Sequence, residues 1–116
     1  MILDKLVKIL KALGDKNRLR IVKMLQQKEL CVCEITAVLK LATSTVSNHL
    51  SILKDTGIIR DRKDGKWVEY CLNTKTNNIF LNGLLALVSF WLNDDKQVVE
   101  DKEKIYTVSR EELCGR

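Results

Sequence analysis

Among its 116 residues the chain has no proline, five glycines, a single histidine and four cysteines. The lack of proline and the shortage of glycine speak against a turn-rich all-β fold and favour long helices. No long hydrophobic run is present either. The most apolar segment, "IFLNGLLALVSFWL" from Ile79 to Leu92, is 14 residues long and broken by Asn82 and Gly83. A membrane helix needs about 20 apolar residues, so no membrane partner is expected. The first residues already carry Asp4 and Lys5, unlike an export leader, and the expected location is cytoplasmic. In that reducing compartment, cysteines serve as ligands, redox groups or core residues more often than as structural disulfides.

What is present points to one helical domain with a charged extension. Residues 1–66 hold 14 Lys and Arg against 7 Asp and Glu, and the remainder holds 6 against 8, so a basic first half carries the net charge of +5. A polyanionic partner suits that asymmetry. Leu3, Leu6, Val7, Leu10 and Leu13 recur at helical spacing, and Gly14 is expected to end that helix in a left-handed conformation. Asp15 can cap a second helix bearing Leu19, Ile21, Val22 and Leu25. Two more helices follow, "LCVCEITAVLK" and "STVSNHLSILKDTG", separated by a short turn, with Thr43 as a cap and Gly57 just past the end.

The period then changes. "GIIRDRKDGKWVEYCL" alternates apolar and polar residues about an Asp64-Gly65 turn, the pattern of a hairpin. A helix from about Asn78 to Leu92 is apolar on nearly all sides, more than one small domain can bury. It is expected to form a homodimer interface together with the first helix. The fold class is therefore mainly α with a β-hairpin wing, a winged helix-turn-helix over residues 1–92. A polar tail at 93–116, carrying Cys114, is expected to dock weakly or fray.

On a helical wheel Val46, Leu50 and Leu53 face the core, and Ser44, Ser47, Asn48 and Ser51 lie opposite, with Thr45 at the flank. These short polar side chains can reach phosphates and base edges, whereas an ordinary solvated face would be rich in Lys, Glu and Arg. The expected DNA contacts are Thr43, Ser44, Thr45, Ser47, Asn48, Ser51 and the wing cations Arg62, Lys63 and Lys66. His49 joins them as a packing histidine able to touch a phosphate. Double-stranded operator DNA of two-fold symmetry is the partner such a dimer would take.

Cys31 and Cys33 stand one residue apart in "ELCVCEI", at or just inside a helix start, where exposed amides lower a thiol's pKa. On an ideal helix residues i and i+2 point about 200° apart, so gripping one ion would require local unwinding. Taken alone, such a pair could be core residues, soft-ion ligands or an oxidisable redox pair. A thiol enzyme is disfavoured, because there is no C-x-x-C, no anion-cradling loop led by a cysteine and no suitably placed histidine.

Four blocks, "LKALGDKNRLRIVKML", "ELCVCEI", "STVSNHLSILKDTGII" and "RKDGKWVEYCL", resemble those of the ArsR/SmtB repressors, dimeric regulators that leave their operator on binding a metal or metalloid. The resemblance covers about residues 3–92 and implies that Cys31 and Cys33 form the thiolate box. Some arsenic sensors of that family carry a third cysteine where this chain has Thr36. Arsenite favours three sulfurs, so the preferred third ligand is Cys114 in the tail, with Cys71 or no third protein ligand as alternatives. The family's zinc site on the last helix uses His and carboxylates, and "NNIFLNGLLALVSFWLND" has no histidine. No cofactor is expected. The expected inducer is As(III) or Sb(III), with Cd(II), Pb(II) or thiol oxidation as the alternatives.

Overall fold

Asp15 makes the first corner. In the computed structural model, which describes residues 2–114, its Oδ1 accepts from the backbone N–H groups of Asn17 at 2.8 Å and Arg18 at 3.0 Å. Helix α1 (Ile2–Leu13) therefore stops and α2 (Lys16–Leu25) starts within three residues. Gly14 does not adopt the left-handed conformation expected of it. The side-chain cap on Asp15 already reverses the chain, so no positive φ is needed.

Helices α3 (Val32–Leu39) and α4 (Thr43–Asp55) form the helix-turn-helix. The turn begins at Lys40, left-handed at φ 59°, whose N–H donates to Thr36 O at 2.8 Å. The cap of α4 falls on Ala42 rather than Thr43; Thr43 is the first helical residue and is exposed. Gly57, at φ 82°, ends α4 as expected, and an added Cβ would stand 3.2 Å from Leu81 Cδ1.

Strands β2 (Ile59–Asp64) and β3 (Trp67–Leu72) form the antiparallel wing, paired from Ile59↔Leu72 to Asp64↔Trp67. That register leaves Gly65 and Lys66 as the loop, one residue later than expected. Only Gly65 has positive φ, the arrangement of a turn with glycine first, whereas an Asp-Gly turn would need both. A two-residue strand, β1 (Leu30–Cys31), joins the other edge of β3, giving the order β1-β3-β2.

Helix α5 (Ile79–Val88) is capped by Asn78 and ends four residues short of the expected Leu92, which is left-handed at φ 65°. Its C-terminal carbonyl of Val88 accepts from Lys23 Nζ at 2.9 Å, and Asn93 Oδ1 accepts from the same ammonium at 3.0 Å. Burial pushes the Lys23 pKa down, and the helix C-terminus offsets part of that cost.

The segment after 92 is folded back onto the core. Asp95 caps α6 (Lys96–Lys104), which packs on α2, and Ile105 is fully buried in the core. Asp101, 2% exposed, takes a bidentate pair from Arg20, Nε at 2.8 Å and Nη2 at 3.0 Å. A short helix, α7 (Arg110–Cys114), then returns to α3.

The core gathers Ile9, Ile21, Val22, Leu30, Ile35, Val46, Leu50, Leu53 and Ile58 from the first four helices, β1 and the wing root. Apolar side chains remain outside it on two helices. Leu3 and Leu10 of α1 are exposed, as are Ile79 and Leu87 of α5 and Phe90 just beyond. Among the described residues, no helix is long and apolar enough to cross a membrane.

Candidate thiol site and nucleic-acid face

Cys31 is the joint between two structures. It closes β1, paired with Glu69 of β3, and at φ −91° and ψ 168° it is also the N-cap of α3. Its N–H donates to Glu34 Oε1 at 2.9 Å, which fixes the turn into the helix. Because Cys31 is extended rather than helical, the opposition calculated for an ideal helix does not apply. Its Sγ lies 3.1 Å from that of Cys33. Thiolate–metal bonds of about 2.3 Å let two sulfurs on one atom stand at most about 4.6 Å apart. The pair can thus meet a single soft atom with α3 intact, and the unwinding anticipated from the sequence is unnecessary.

The expected lowering of the thiol pKa also fails at Cys31. Burial pushes it up, and the Glu34 amide directed at the sulfur recovers only part. A sulfur held protonated near neutral pH is a poor nucleophile for random oxidants but is still open to a ligand that displaces the proton.

Both sulfurs line a cleft whose other walls include Thr36 of α3, Thr43 of α4, Trp67 and Val68 of β3, and Leu113 of α7. Thr36 Oγ1 donates to Val32 O at 2.7 Å, so this hydroxyl is spent inside the helix. Cys114 follows Leu113 at the end of α7; its side chain lies outside the described residues. Cys71 sits apart, half-buried on β3 beside Leu25 and Leu85. Among the described residues, no three His, Cys, Asp or Glu side chains converge as a metal site.

On α4 the division is the one the wheel describes. Val46, Leu50 and Leu53 are buried, while Thr43, Ser44, Thr45, Ser47, Asn48 and Ser51 are exposed. His49 is half-buried and lies 3.1 Å through Nδ1 from Arg18 Nη1. Arginine can only donate, so Nδ1 accepts and the proton sits on Nε2. Arg18 also donates to Ala12 O at 2.6 Å, so His49 belongs to the α1–α2 corner as much as to the outer face.

The wing cations are not equivalent. Arg62 is held by Glu29 at 2.8 Å and Glu69 at 3.4 Å. Lys66 Nζ lies 4.9 Å over the Trp67 ring. Lys63 is exposed. Sequence reasoning missed Arg110, which donates to Glu69 Oε1 and, at 2.8 Å, to Asp64 Oδ2, and sits 4.3 Å over Trp67. No local pattern announces a contact made across 46 residues.

A helix pair with a short left-handed turn, followed directly by a basic hairpin, is the architecture of a DNA reader, and residues 15–61 match the family described as "Bacterial regulatory protein, arsR family". The chain is 35% identical over 91 residues to the arsenic resistance transcriptional regulator ArsR1 of Pseudomonas putida, covering 75% of this chain and 71% of that one. The chain belongs to the arsR family. Within it, a second relative is the cadmium resistance regulatory protein CadC homolog of Staphylococcus aureus, 43% identical over 67 residues, 57% of this chain and 55% of that one. The homodimeric winged helix-turn-helix DNA-binding domain Mb0332 of Mycobacterium bovis superposes with a TM-score of 0.66 at 27% identity, covering 82% of this chain and 84% of that one. The arsR family consists of DNA-binding transcriptional regulators, not enzymes. In this member the two adjacent sulfurs lie at and just inside the start of the helix that buttresses α4, and their cleft is walled by the wing.

Proposed function

We propose that this arsR-family protein is a cytoplasmic, homodimeric repressor that leaves two-fold-symmetric operator DNA when Cys31, Cys33 and Cys114 bind trivalent arsenic or antimony. The observation that carries the reading is the pair of sulfurs 3.1 Å apart at the joint of α3 and the wing sheet. Cys114 supports a three-sulfur site through its position, one residue past Leu113, which already lines the cleft. The exposed apolar side chains of α1 and α5 supply a face that a second copy would cover. Titrating an operator duplex with reduced protein, with and without arsenite, tests the whole reading. Operator affinity that arsenite does not alter would overturn it.

Asn48 is exposed in mid-helix and Lys63 at the wing tip, and the two should fail differently. Asn48→Ala should cost about 1–3 kcal/mol on the operator and little on random DNA. Lys63→Ala should weaken both alike and reduce the salt slope by about 0.9. Competition binding at several salt concentrations separates the two patterns, and equal losses for Asn48→Ala on both DNAs would remove it from base recognition.

The cadmium-responsive relative makes Cd(II) the second reading, and proton balance distinguishes it. Arsenous acid carries its own hydroxyls: each As–S bond formed releases one water from an As–OH and a thiol proton, with no net proton released. Cd(II) brings no base, so each thiol it takes releases a proton to solvent. Burial keeps Cys31 protonated near neutral pH. Arsenite affinity should therefore stay flat between about pH 6 and 8, while Cd(II) affinity rises about tenfold per pH unit for each proton lost. Calorimetry in buffers of different ionisation enthalpy counts those protons directly, and a pH-dependent arsenite affinity would contradict the three-thiol exchange.

A further inference from the structure

We propose that Arg110 is the positioning residue through which occupancy of the thiol site acts on the wing; this rests on the function proposed above, with Cys114 as a ligand. Since α3 need not unwind when the thiols take an ion, the response must leave the site by another route.

Helix α7 offers one. It begins at Arg110 and ends at Cys114, so at 1.5 Å per residue its two ends are only about 6 Å apart along the axis. The first end grips the hairpin at both strands: Asp64 at the tip of β2 through Nη2 at 2.8 Å, Glu69 of β3 through Nη1, and the Trp67 ring at 4.3 Å. Near the other end, Leu113 lies in the cleft with Cys31 and Cys33. A group held at the thiols through Cys114 would hold this grip as well.

Trp67 makes the connection tighter. It lines the thiol cleft and carries Arg110 on its ring, so one residue of the wing belongs to both ends of the route. Its indole N–H is buried with no acceptor among the described residues, so packing and the cation, rather than a hydrogen bond, set the ring's position.

Charge gives the direction. Among the described residues of α7, docking brings Arg110 beside the wing, but with it Glu111, which pairs with that arginine at 3.4 Å, and Glu112, so a hairpin that must meet phosphates gains more acid than base. Arg110 is moreover occupied by Asp64, whose carboxyl it holds below the usual range by hydrogen bonding. The docked arrangement therefore disfavours DNA. A five-residue helix has little stability of its own, so its docking rests on these contacts, and a bond to Cys114 shifts the population towards docking.

The test is the ratio of operator Kd with and without arsenite in Arg110→Ala and Arg110→Lys, alongside arsenite binding read from thiolate absorbance and Trp67 fluorescence. The wild-type ratio should be about 5–150. In Arg110→Ala arsenite should still bind, but the ratio should fall to about 1 and the arsenite-induced change in emission, absent in Trp67→Phe, should vanish. Arg110→Lys, which keeps the charge and loses the fork, should give an intermediate ratio. An undiminished ratio in Arg110→Ala overturns the proposal, as does loss of arsenite binding there, which would place Arg110 in the site itself. A wild-type ratio of 1 would count against the repressor reading instead.

Discussion

Cys33→Ser protein, kept reduced, is expected to hold its operator as tightly as the wild type and to ignore arsenite. Serine is nearly the size of cysteine and Cys33 is only half-buried, so the helix-turn-helix should survive the change. The oxygen, however, is a hard, protonated donor where a soft atom wants sulfur. The coupling, typically about 1–3 kcal/mol or 5–150-fold, should collapse to about 1. Cys31→Ser should behave alike, because amides of the helix start can satisfy the hydroxyl that replaces a sulfur 3% exposed. Cys114→Ser should weaken arsenite and spare an ion content with two thiolates. Cys71→Ser, remote from the cleft, should change little. Operator titrations of the four variants at rising arsenite decide the matter, and a Cys33→Ser protein that released DNA at wild-type concentrations would remove the thiol pair from the switch.

The second large effect concerns folding. Asp101→Ala should cost about 3–5 kcal/mol, because it leaves the Arg20 guanidinium largely buried without its carboxylate. Arg20 also donates to Asn17 Oδ1 at 3.3 Å, and Gln97 Nε2 donates to Asp101 Oδ1 at 3.0 Å, so rupture of the pair strands several groups at once. For a domain of this size that loss corresponds to a fall of roughly 12–20 °C in melting temperature. Replacing both partners together, Arg20→Met with Asp101→Leu, should recover most of it, since well-packed apolar side chains substitute for a buried pair. Urea denaturation of the single and double variants measures the difference. A loss under about 1 kcal/mol for Asp101→Ala would mean that α6 contributes little to the fold.

The helix-turn-helix and the wing were legible because their signals are local. Periodicity places Val46, Leu50 and Leu53 inside, Asp15 caps its own helix, and Gly57 stands where only a residue tolerant of positive φ fits well. The thiol pair was found by its spacing but its geometry was misjudged. Strand β1 is two residues long and exists because β3, some 40 residues away, pairs with it. Nothing within "ELCVCEI" says that Cys31 is extended. Helix α6 was missed for a related reason: its hold on the core is an ion pair spanning 81 residues, and Asp101 reads locally as one more charge in a charged segment. Long-range partners likewise distinguish Arg62, spent on Glu29, from Lys63.

Cys31 belongs at once to the ladder of the hairpin, opposite Glu69, and to the first turn of α3. The helix-turn-helix and the wing are therefore joined at Cys31 as well as through the run of chain from α4 into β2, and the first of these joints carries a sulfur. Any rotation about it must change the angle between recognition helix and wing. A duplex whose groove and backbone are a fixed distance apart tolerates little error in that angle. Under the function proposed, so small a chain would report a bound atom without melting any part of itself, because the quantity it would have to alter is only an alignment.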